Sequence, residues 1–432
     1  MVLPVLHFQF YIPVPNSQFL IPFPLSLEEF IFTFSMSYRK ITADRIFDGY
    51  RFWNDKVLVL TEDGQVEGLV SAEDVGSDVE IYKGMNTPGL INCHCHLELS
   101  HMKERIPEGT GLIDFVFKVV TERHFSEEEI RAAIAAGEEE MSQNGIVAVG
   151  DICNNNLTVE QKEKGILSYY NFIESSGWLP SISQARFDRA KSLYDQYDAI
   201  KHNGLNYKSS VCSETAIVPH APYSVSQELW QLIRPYFAGR TVSIHNQETA
   251  FEDELFLQGT GDFIRMYQMM QMDFAHHEPT GKSSLQSYFP QLNEAGNIIL
   301  VHNTFTKQED INYLQSQNSN FKSQIFFCLC VNANQYIENA MPPIDMFRDS
   351  GCTMILGTDS LASNWSLNIL DEIKTIQKHH PSVPLEEMLQ WATINGAKAL
   401  AMDNQLGSFE KGKKPGVVWI EDDIALKPEK LF

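Results

Sequence analysis

At 432 residues, with 43% hydrophobic and 21% charged content, the chain has room for one large domain and a small one and the composition of an ordinary globular protein. A formal charge of −23 with no basic cluster argues against nucleic acid as a partner, because phosphate binding depends on Lys and Arg. The seven cysteines are scattered and odd in number, which speaks against a disulfide framework and for a reducing, cytoplasmic setting.

Residues 1–35 are rich in Phe, Leu, Ile and Pro, and the first basic residue is Arg39. A secretory leader has a charged start and a proline-free apolar core. Here Pro4, Pro13, Pro15, Pro22 and Pro24 interrupt any helix, which counts against a leader and against a membrane span. Met36 precedes Ser-Tyr-Arg-Lys-Ile, the start of a strand-like run, so residues 1–35 are expected to be a non-native extension. A peptide from residues 5–30, detected in the natural protein by mass spectrometry, would contradict that.

From residue 36 to 87, short β-rich runs alternate with turns: Ile41 to Phe47, Lys56 to Leu60, Val66 to Val70 and Val79 to Lys83. Asp63-Gly64 between two of them is a hairpin signal. A similar run, Gly416-Val-Val-Trp-Ile-Glu421, lies near the other end. Residues 36–87 and 404–432 are therefore expected to form a small β-sandwich beside a main body of residues 88–403.

In the main body, apolar runs alternate with amphipathic segments. The runs are Leu90–Ile91, Ile146–Gly150, Ile166–Ile173, Val211–Val218, Thr241–Ile244, Ile298–Val301, Gln324–Cys330 and Thr353–Leu356. Capping boxes at Ser126-Glu-Glu-Glu129 and Thr306-Lys-Gln-Glu309 open two of the helices, and Ser226 to Tyr236 and Leu367 to His379 also read as helical. Eight strands alternating with helices predict an α/β fold, the (β/α)8 TIM-type barrel. Cys328-Leu-Cys330 has the wrong spacing for a Cys-x-x-Cys site and reads as part of a buried strand. Residues 259–290, with Met266, Met269, Met270, Met272 and His276-His277, fit no simple unit and are expected to cover the barrel mouth.

Catalytic groups of such barrels project from the C-terminal ends of the strands. His94 and His96 follow the first strand, and positions i and i+2 of a strand share a face, so both imidazoles can aim at one metal ion. His220, His245, His302 and Asp359 end the fourth, fifth, sixth and eighth strands. One histidine at a strand end is more often structural than functional. So many in one chain point to a metal-centred site.

The motifs Pro88-Gly-Leu-Ile-Asn-Cys-His-Cys-His96, Pro219-His220-Ala-Pro-Tyr-Ser-Val-Ser226, His245-Asn-Gln-Glu248, Val301-His302-Asn303 and Gly357-Thr-Asp-Ser-Leu-Ala-Ser-Asn364 closely resemble the amidohydrolase superfamily. The likeness is strongest to its mononuclear deaminase and chlorohydrolase branch, which includes cytosine, guanine and S-adenosylhomocysteine deaminases and triazine hydrolases. It covers nearly everything from Met36 onward, including Thr393-x-Asn-Gly-Ala397 and Gly407-Ser-Phe-Glu-Lys-Gly412. Where binuclear members carry a carboxylated lysine after strand four, this chain has His220.

The resemblance implies a hydrolase of carbon–nitrogen bonds other than peptide bonds, with His94, His96, His245 and Asp359 holding one divalent ion, Zn²⁺ or Fe²⁺. Such an ion would acidify a water, Asp359 would take its proton and His302 would orient it. Glu248 would protonate a ring nitrogen of the substrate and help release ammonia. His220, Glu98 and Ser100 would be substrate contacts. The His-Leu-Glu-Leu-Ser form after His94 and the segment Ile106-Pro-x-Gly-x-Gly-Leu-Ile-Asp-Phe-Val116 are similar to aminofutalosine deaminases, which act on an adenine nucleoside bearing a carboxybenzoyl group. Arg123, Arg186 and Arg189 are candidates to bind its carboxylate, Arg186 being retained as a site residue. The expected partner is thus a small N-heterocycle, with no nucleic acid or membrane involved, and the family resemblance favours a homodimer. Rival readings are a chlorohydrolase, a cyclic amidase, or a non-catalytic barrel stabilised by its metal.

Overall fold

The computed structural model describes residues 38–202, 213–317, 323–421 and 427–431, and the expectation for residues 1–35 lies outside them. The described chain begins with five strands, β1 (Tyr38–Phe47), β2 (Phe52–Trp53), β3 (Lys56–Thr61), β4 (Val66–Ser71) and β5 (Glu80–Pro88). β3 and β4 pair antiparallel across the Asp63-Gly64 turn, where Gly64 takes φ +79°.

Eight parallel strands follow in two runs of four. The first run is β6 (Leu90–Cys95), β7 (Ile146–Cys153), β8 (Ser168–Ser175) and β9 (Ser213–Pro219). The second is β10 (Thr241–Asn246), β11 (Asn297–His302), β12 (Gln324–Leu329) and β13 (Thr353–Leu356). The runs meet at both seams through backbone bonds at their C-terminal ends. His245 N donates to His220 O at 3.0 Å, and Thr358 N and Asp359 N both donate to His94 O at 3.0 Å. This is the strand order of a (β/α)8 barrel. Near-continuous apolar runs such as Ile298 to Val301 are buried, as a parallel sheet covered on both faces requires.

Several strands run further than their apolar stretches. β7 continues to Cys153, β8 to Ser175, β10 to Asn246 and β11 to His302. The hydrophobic signal ends where side chains turn polar, while the backbone ladder carries on and fixes those polar residues.

At the far end β14 (Val417–Ile420) pairs antiparallel with β5, and β15 (Pro428–Lys430) pairs with β14. Both chain ends therefore share a sheet around Ile41, Ile46, Leu58, Leu60, Val66, Phe409 and Val417. Its seven strands hydrogen-bond as one continuous sheet. β14 passes so close to Gly84 (φ +87°) that a Cβ there would lie 2.2 Å from Ile420 O.

The Ser126 capping box is reciprocal: Ser126 Oγ accepts from Glu129 N at 3.3 Å, and Glu129 Oε2 accepts from Ser126 N at 3.1 Å. Thr306 behaves differently from expectation. Its hydroxyl donates to Gln247 Oε1 at 2.7 Å, and the Asp310 carboxylate accepts instead from Lys307 N at 3.4 Å. The 259–290 stretch divides. Its first half carries helix Phe263–Met269 to the barrel mouth, while Leu285, Tyr288 and Phe289 of its second half join the main core. Among the described residues no helix is long and apolar enough to cross a membrane.

Candidate metal centre and substrate cavity

β6, β10 and the turn after β13 bring four side chains to one point. The Nε2 atoms of His96 and His245 lie 3.3 Å apart, and Asp359 Oδ1 lies 3.3 Å from His96 Nε2 and 3.5 Å from His94 Nε2. All four ligand atoms fall within 4.8 Å of one another, and all four residues are buried. In a tetrahedral zinc site with ligands about 2.0–2.2 Å from the ion, neighbouring ligand atoms lie about 3.3–3.6 Å apart, close to the spacing found here.

The protonation of the ligands agrees with this. His245 Nδ1 lies 2.8 Å from His220 O, a carbonyl that can only accept, so the ring proton sits on Nδ1 and Nε2 keeps its lone pair. Burial lowers His96 to about 3 and holds His245 well below its ordinary value, so both rings are neutral near pH 7. For Asp359, burial works to raise the carboxyl, but the imidazoles of His94, His96 and His302 outweigh it and hold the pKa well below the ordinary value. His94 is fully buried and neither of its ring nitrogens has a hydrogen-bond partner. Uncommitted buried donors of this kind, three imidazoles and a carboxylate, fit a divalent ion.

The loops are held by their own networks. Ser363 Oγ donates to Asp359 Oδ2 at 2.5 Å, which leaves Oδ1 facing the imidazoles. His302 Nδ1 pairs with Asn334 Oδ1 at 2.9 Å, and His302 Nε2 lies 3.7 Å from Glu248 Oε2. Glu248 follows Gln247 (φ +45°), whose side chain is pinned by Asp310 at 2.8 Å, Asp253 at 3.2 Å and Thr306. Burial pushes the Glu248 carboxyl well above its usual range.

A cavity of about 360 Å³ opens over these groups. His96, His245, His302, Asp359, Glu248 and His220 line its polar end; Leu112, Phe115, Val116, Trp178, Met266 and Met272 line much of its wall. Such a mixture, mostly apolar with a few convergent polar groups, is typical of a small-molecule site. Tyr267 stacks on Trp178 with ring centroids 4.5 Å apart, so helix Phe263–Met269 forms part of that wall.

The sequence-derived candidates divide. His94, His96, His245 and Asp359 come together, with Glu248 and His302 beside them. His220 lines the cavity, its Nδ1 2.7 Å from Ser224 Oγ and its ring lowered to about 4 by burial. Glu98 and Arg186 also line it, Arg186 from an exposed position. Ser100 does not. Residues 97–102 form a 3₁₀ turn, in which positions three apart eclipse, so Ser100 sits over Leu97, bonds its carbonyl at 2.8 Å and packs toward Gly137. Ser100 Oγ is thus committed to the turn, and Ser100 stays a proposal as a substrate contact. Glu174 and Asn154, which also line the cavity, escape the motif reading. Both sit where a polar residue ends an apolar strand, the same signal that marks the histidines.

A family model described as the amidohydrolase family matches residues 85–431. A 5-methylthioadenosine/S-adenosylhomocysteine deaminase of Thermoanaerobacter pseudethanolicus is 27% identical over 359 residues, covering 79% of this chain and 74% of its own. The crystal structure of Helicobacter pylori aminofutalosine deaminase with methylthio-coformycin superposes with a TM-score of 0.71 at 22% identity, covering 88% of this chain and 91% of that one. A Xanthomonas campestris adenosine deaminase with bound zinc gives 0.68 at 18% identity, with 90% and 85% covered. At these identities the two structural likenesses speak for the fold.

Proposed function

Since the chain belongs to the amidohydrolase family, we propose that it is a metal-dependent hydrolytic deaminase of an aminated purine nucleoside. The observation that carries this is the convergence of His94, His96, His245 and Asp359 in a cavity that also presents the buried acid Glu248. Those four residues would hold one divalent ion, Zn²⁺ in the first place and Fe²⁺ as the alternative. When bound, such an ion supplies a Lewis acid that brings the pKa of a water toward neutrality.

The protein groups then divide the proton work. Asp359, ionised under the influence of the imidazoles, accepts the proton of the attacking water. His302, oriented by Asn334, hydrogen-bonds that water. Glu248, kept protonated by burial, gives its proton to a ring nitrogen as the adjacent carbon becomes tetrahedral. Asp359 passes the water's proton on to the amino group, which leaves as ammonia, and Glu248 regains a proton from the added hydroxyl, so one water is consumed for each exocyclic amine released. His220 contributes a hydrogen bond to the bound substrate.

The finer substrate reading is an adenine nucleoside of the adenosine, S-adenosylhomocysteine or aminofutalosine type. Arg123 and Arg186 line the cavity, and among the described residues neither guanidinium makes a hydrogen bond or ion pair, Arg123 acting only at longer range on Glu98 and Glu174. Arg189, by contrast, donates to Asn154 O at 3.0 Å and lies outside the main cavity. Two cations beside an apolar wall suit a substrate that carries an aromatic carboxylate, and on this ground we favour the aminofutalosine type. Six cysteines with free thiols accord with a reducing, cytoplasmic location, and a homodimer is the assembly proposed.

Ammonia release is to be measured against adenosine, 5′-methylthioadenosine, S-adenosylhomocysteine and aminofutalosine, with pteridines and chlorotriazines as controls. Glu248→Gln is expected to abolish turnover while zinc content, read by emission spectroscopy, is retained. Turnover that persists in this variant overturns the role of Glu248, and chloride release without ammonia release overturns the deaminase reading.

A further inference from the structure

Glu98, Asn154 and Glu174 lie at the C-terminal ends of three consecutive strands, β6, β7 and β8, and they are braced together. Glu98 Oε2 accepts from Asn154 N at 3.0 Å and Asn155 N at 3.2 Å, and Glu174 Oε2 accepts from Asn154 Nδ2 at 2.8 Å. Each carboxyl thus uses one oxygen on the protein. The other oxygen of each, Glu98 Oε1 and Glu174 Oε1, is buried and has no hydrogen-bond partner. Glu98 is 2% exposed and the Glu174 side chain 5% exposed. His245 Nδ1 lies 3.6 Å from Glu174 Oε1, and its proton is committed to His220 O.

Native proteins leave few buried polar atoms unpartnered, because each costs about 1–3 kcal/mol. Both carboxyls line the cavity, as does Arg123, which acts on each electrostatically but hydrogen-bonds neither, so the ligand is left to supply the donors for these two oxygens. An ionised carboxylate accepts and cannot donate, so a ligand that partners both oxygens presents hydroxyl or amine hydrogens to them. The acid that acts on the base, Glu248, and its neighbour His302 follow β10 and β11, on the opposite arc of the barrel. Glu98 and Glu174 stand on the β6–β8 side, so the donors they would meet are assigned to the part of the substrate turned away from Glu248.

Resting on the deaminase reading, we propose that Glu98 and Glu174, cross-braced by Asn154, form an acceptor pair that selects the substrate's sugar through its neighbouring 2′- and 3′-hydroxyls. Substrates bearing a vicinal diol are preferred, and Asn154 is a positioning residue that fixes the spacing of the pair. Glu174 also falls within 4.8 Å of ring nitrogens of His220 and His245, a grouping that would suit a second cation. The commitment of His245 Nδ1 to a carbonyl weighs against that alternative, and the metal count below decides it.

The test uses the zinc-loaded full chain. Deamination of adenosine, 2′-deoxyadenosine and 3′-deoxyadenosine is measured for the wild type, Glu98→Gln and Glu174→Gln, together with binding of inosine and its two deoxy counterparts. The wild type is expected to lose about 10- to 100-fold in kcat/KM when one hydroxyl is removed, as for a lost bond to a charged acceptor. Each glutamine variant is expected to lose discrimination at one hydroxyl and keep it at the other. Equal use of all three nucleosides by the wild type, or undiminished discrimination in both variants, overturns the inference. Two zinc ions per wild-type chain falling to one in Glu174→Gln also overturns it. Should a variant not fold, the wild type's affinities for inosine and the two deoxyinosines decide, equal affinities overturning it. If no adenine nucleoside is bound or turned over, the deaminase reading itself fails and this inference with it.

Discussion

Ser363→Ala removes one hydroxyl from the metal centre without touching a ligand. The Ser363 side chain is fully buried and donates to Asp359 Oδ2 at 2.5 Å, while Oδ1 faces His94 Nε2 at 3.5 Å and His96 Nε2 at 3.3 Å. The hydroxyl therefore sorts the two carboxylate oxygens, fixing one and presenting the other. A hydrogen bond to a charged acceptor contributes about 1.5–3 kcal/mol, a factor of about 10–150. Losing a partner that orients a ligand typically costs about 10- to 100-fold in metal affinity. Zinc affinity is expected to fall by that amount in Ser363→Ala, measured by competition with a chromophoric chelator near neutral pH, with circular dichroism to confirm folding. Ser360→Ala is the control, because Ser360 Oγ lies 3.0 Å from Ser363 Oγ and makes no hydrogen bond to Asp359. Affinity within threefold of the wild type in Ser363→Ala would refute the sorting role.

Three other outcomes follow from the packing. Asn334→Leu frees His302 Nδ1 from its 2.9 Å partner, so kcat is expected to drop about 10- to 100-fold with zinc content unchanged; loss of zinc instead would point to a scaffold role. Lys162 pairs with Asp151 at 2.6 Å and both are buried, while Asp151 Oδ1 accepts from Leu97 N just after His96. Lys162→Met strands that carboxylate and should cost about 3–5 kcal/mol in denaturant unfolding, most of it recovered in Asp151→Asn/Lys162→Met; an unaffected single variant refutes this. Burial raises Glu252 from 4.5 to about 8, so its folded form favours the protonated acid. The wild type should lose stability relative to Glu252→Gln as pH climbs from about 4.5 to about 8, with no further loss above, and a pH-independent difference between their melting curves refutes it.

The barrel strands and the histidines at their ends were legible because they obey simple periodicities. Eight apolar runs carried the strands, and His94 and His96 declared themselves by the two-residue repeat that puts both on one face. What escaped depended on geometry that spacing alone does not encode. Glu98 and Ser100 look equivalent in a loop, but a 3₁₀ turn has a period of three, so one enters the cavity and the other is turned beneath it. Glu174 lies one residue beyond the apolar run Ile166–Ile173 and belongs to β8 only because the ladder outlasts the hydrophobic pattern. Asn154 acts through its position between two acids from different strands, a relation that exists only after folding.

The backbone at these same strand ends explains why polar residues gather there. Gln247, His302, Asn303 and Asp359 all take positive φ, at +45°, +71°, +57° and +58°, in the left-handed region where a side chain is usually unwelcome. Asn and Asp tolerate it best; for His302 it is a strain of order 1–3 kcal/mol that persists only if the surroundings over-determine it. They do. Asn303 Nδ2 bonds Leu300 O at 2.7 Å and Cys328 O at 3.2 Å, and Asn246 Nδ2 bonds Asn303 Oδ1 at 3.0 Å, tying the end of β11 to β12 and β10. Glycine would relieve the strain at 302 and 359 but would remove the imidazole and the carboxylate. The turn after β13 shows the same compromise: Asp359 N and Thr358 N converge on His94 O, so the seam that joins β13 to β6 also aims a ligand at its partners. The seam bonds between the two runs and the assembly of the site are therefore linked, and substitutions that loosen either seam should lower zinc affinity before they unfold the chain.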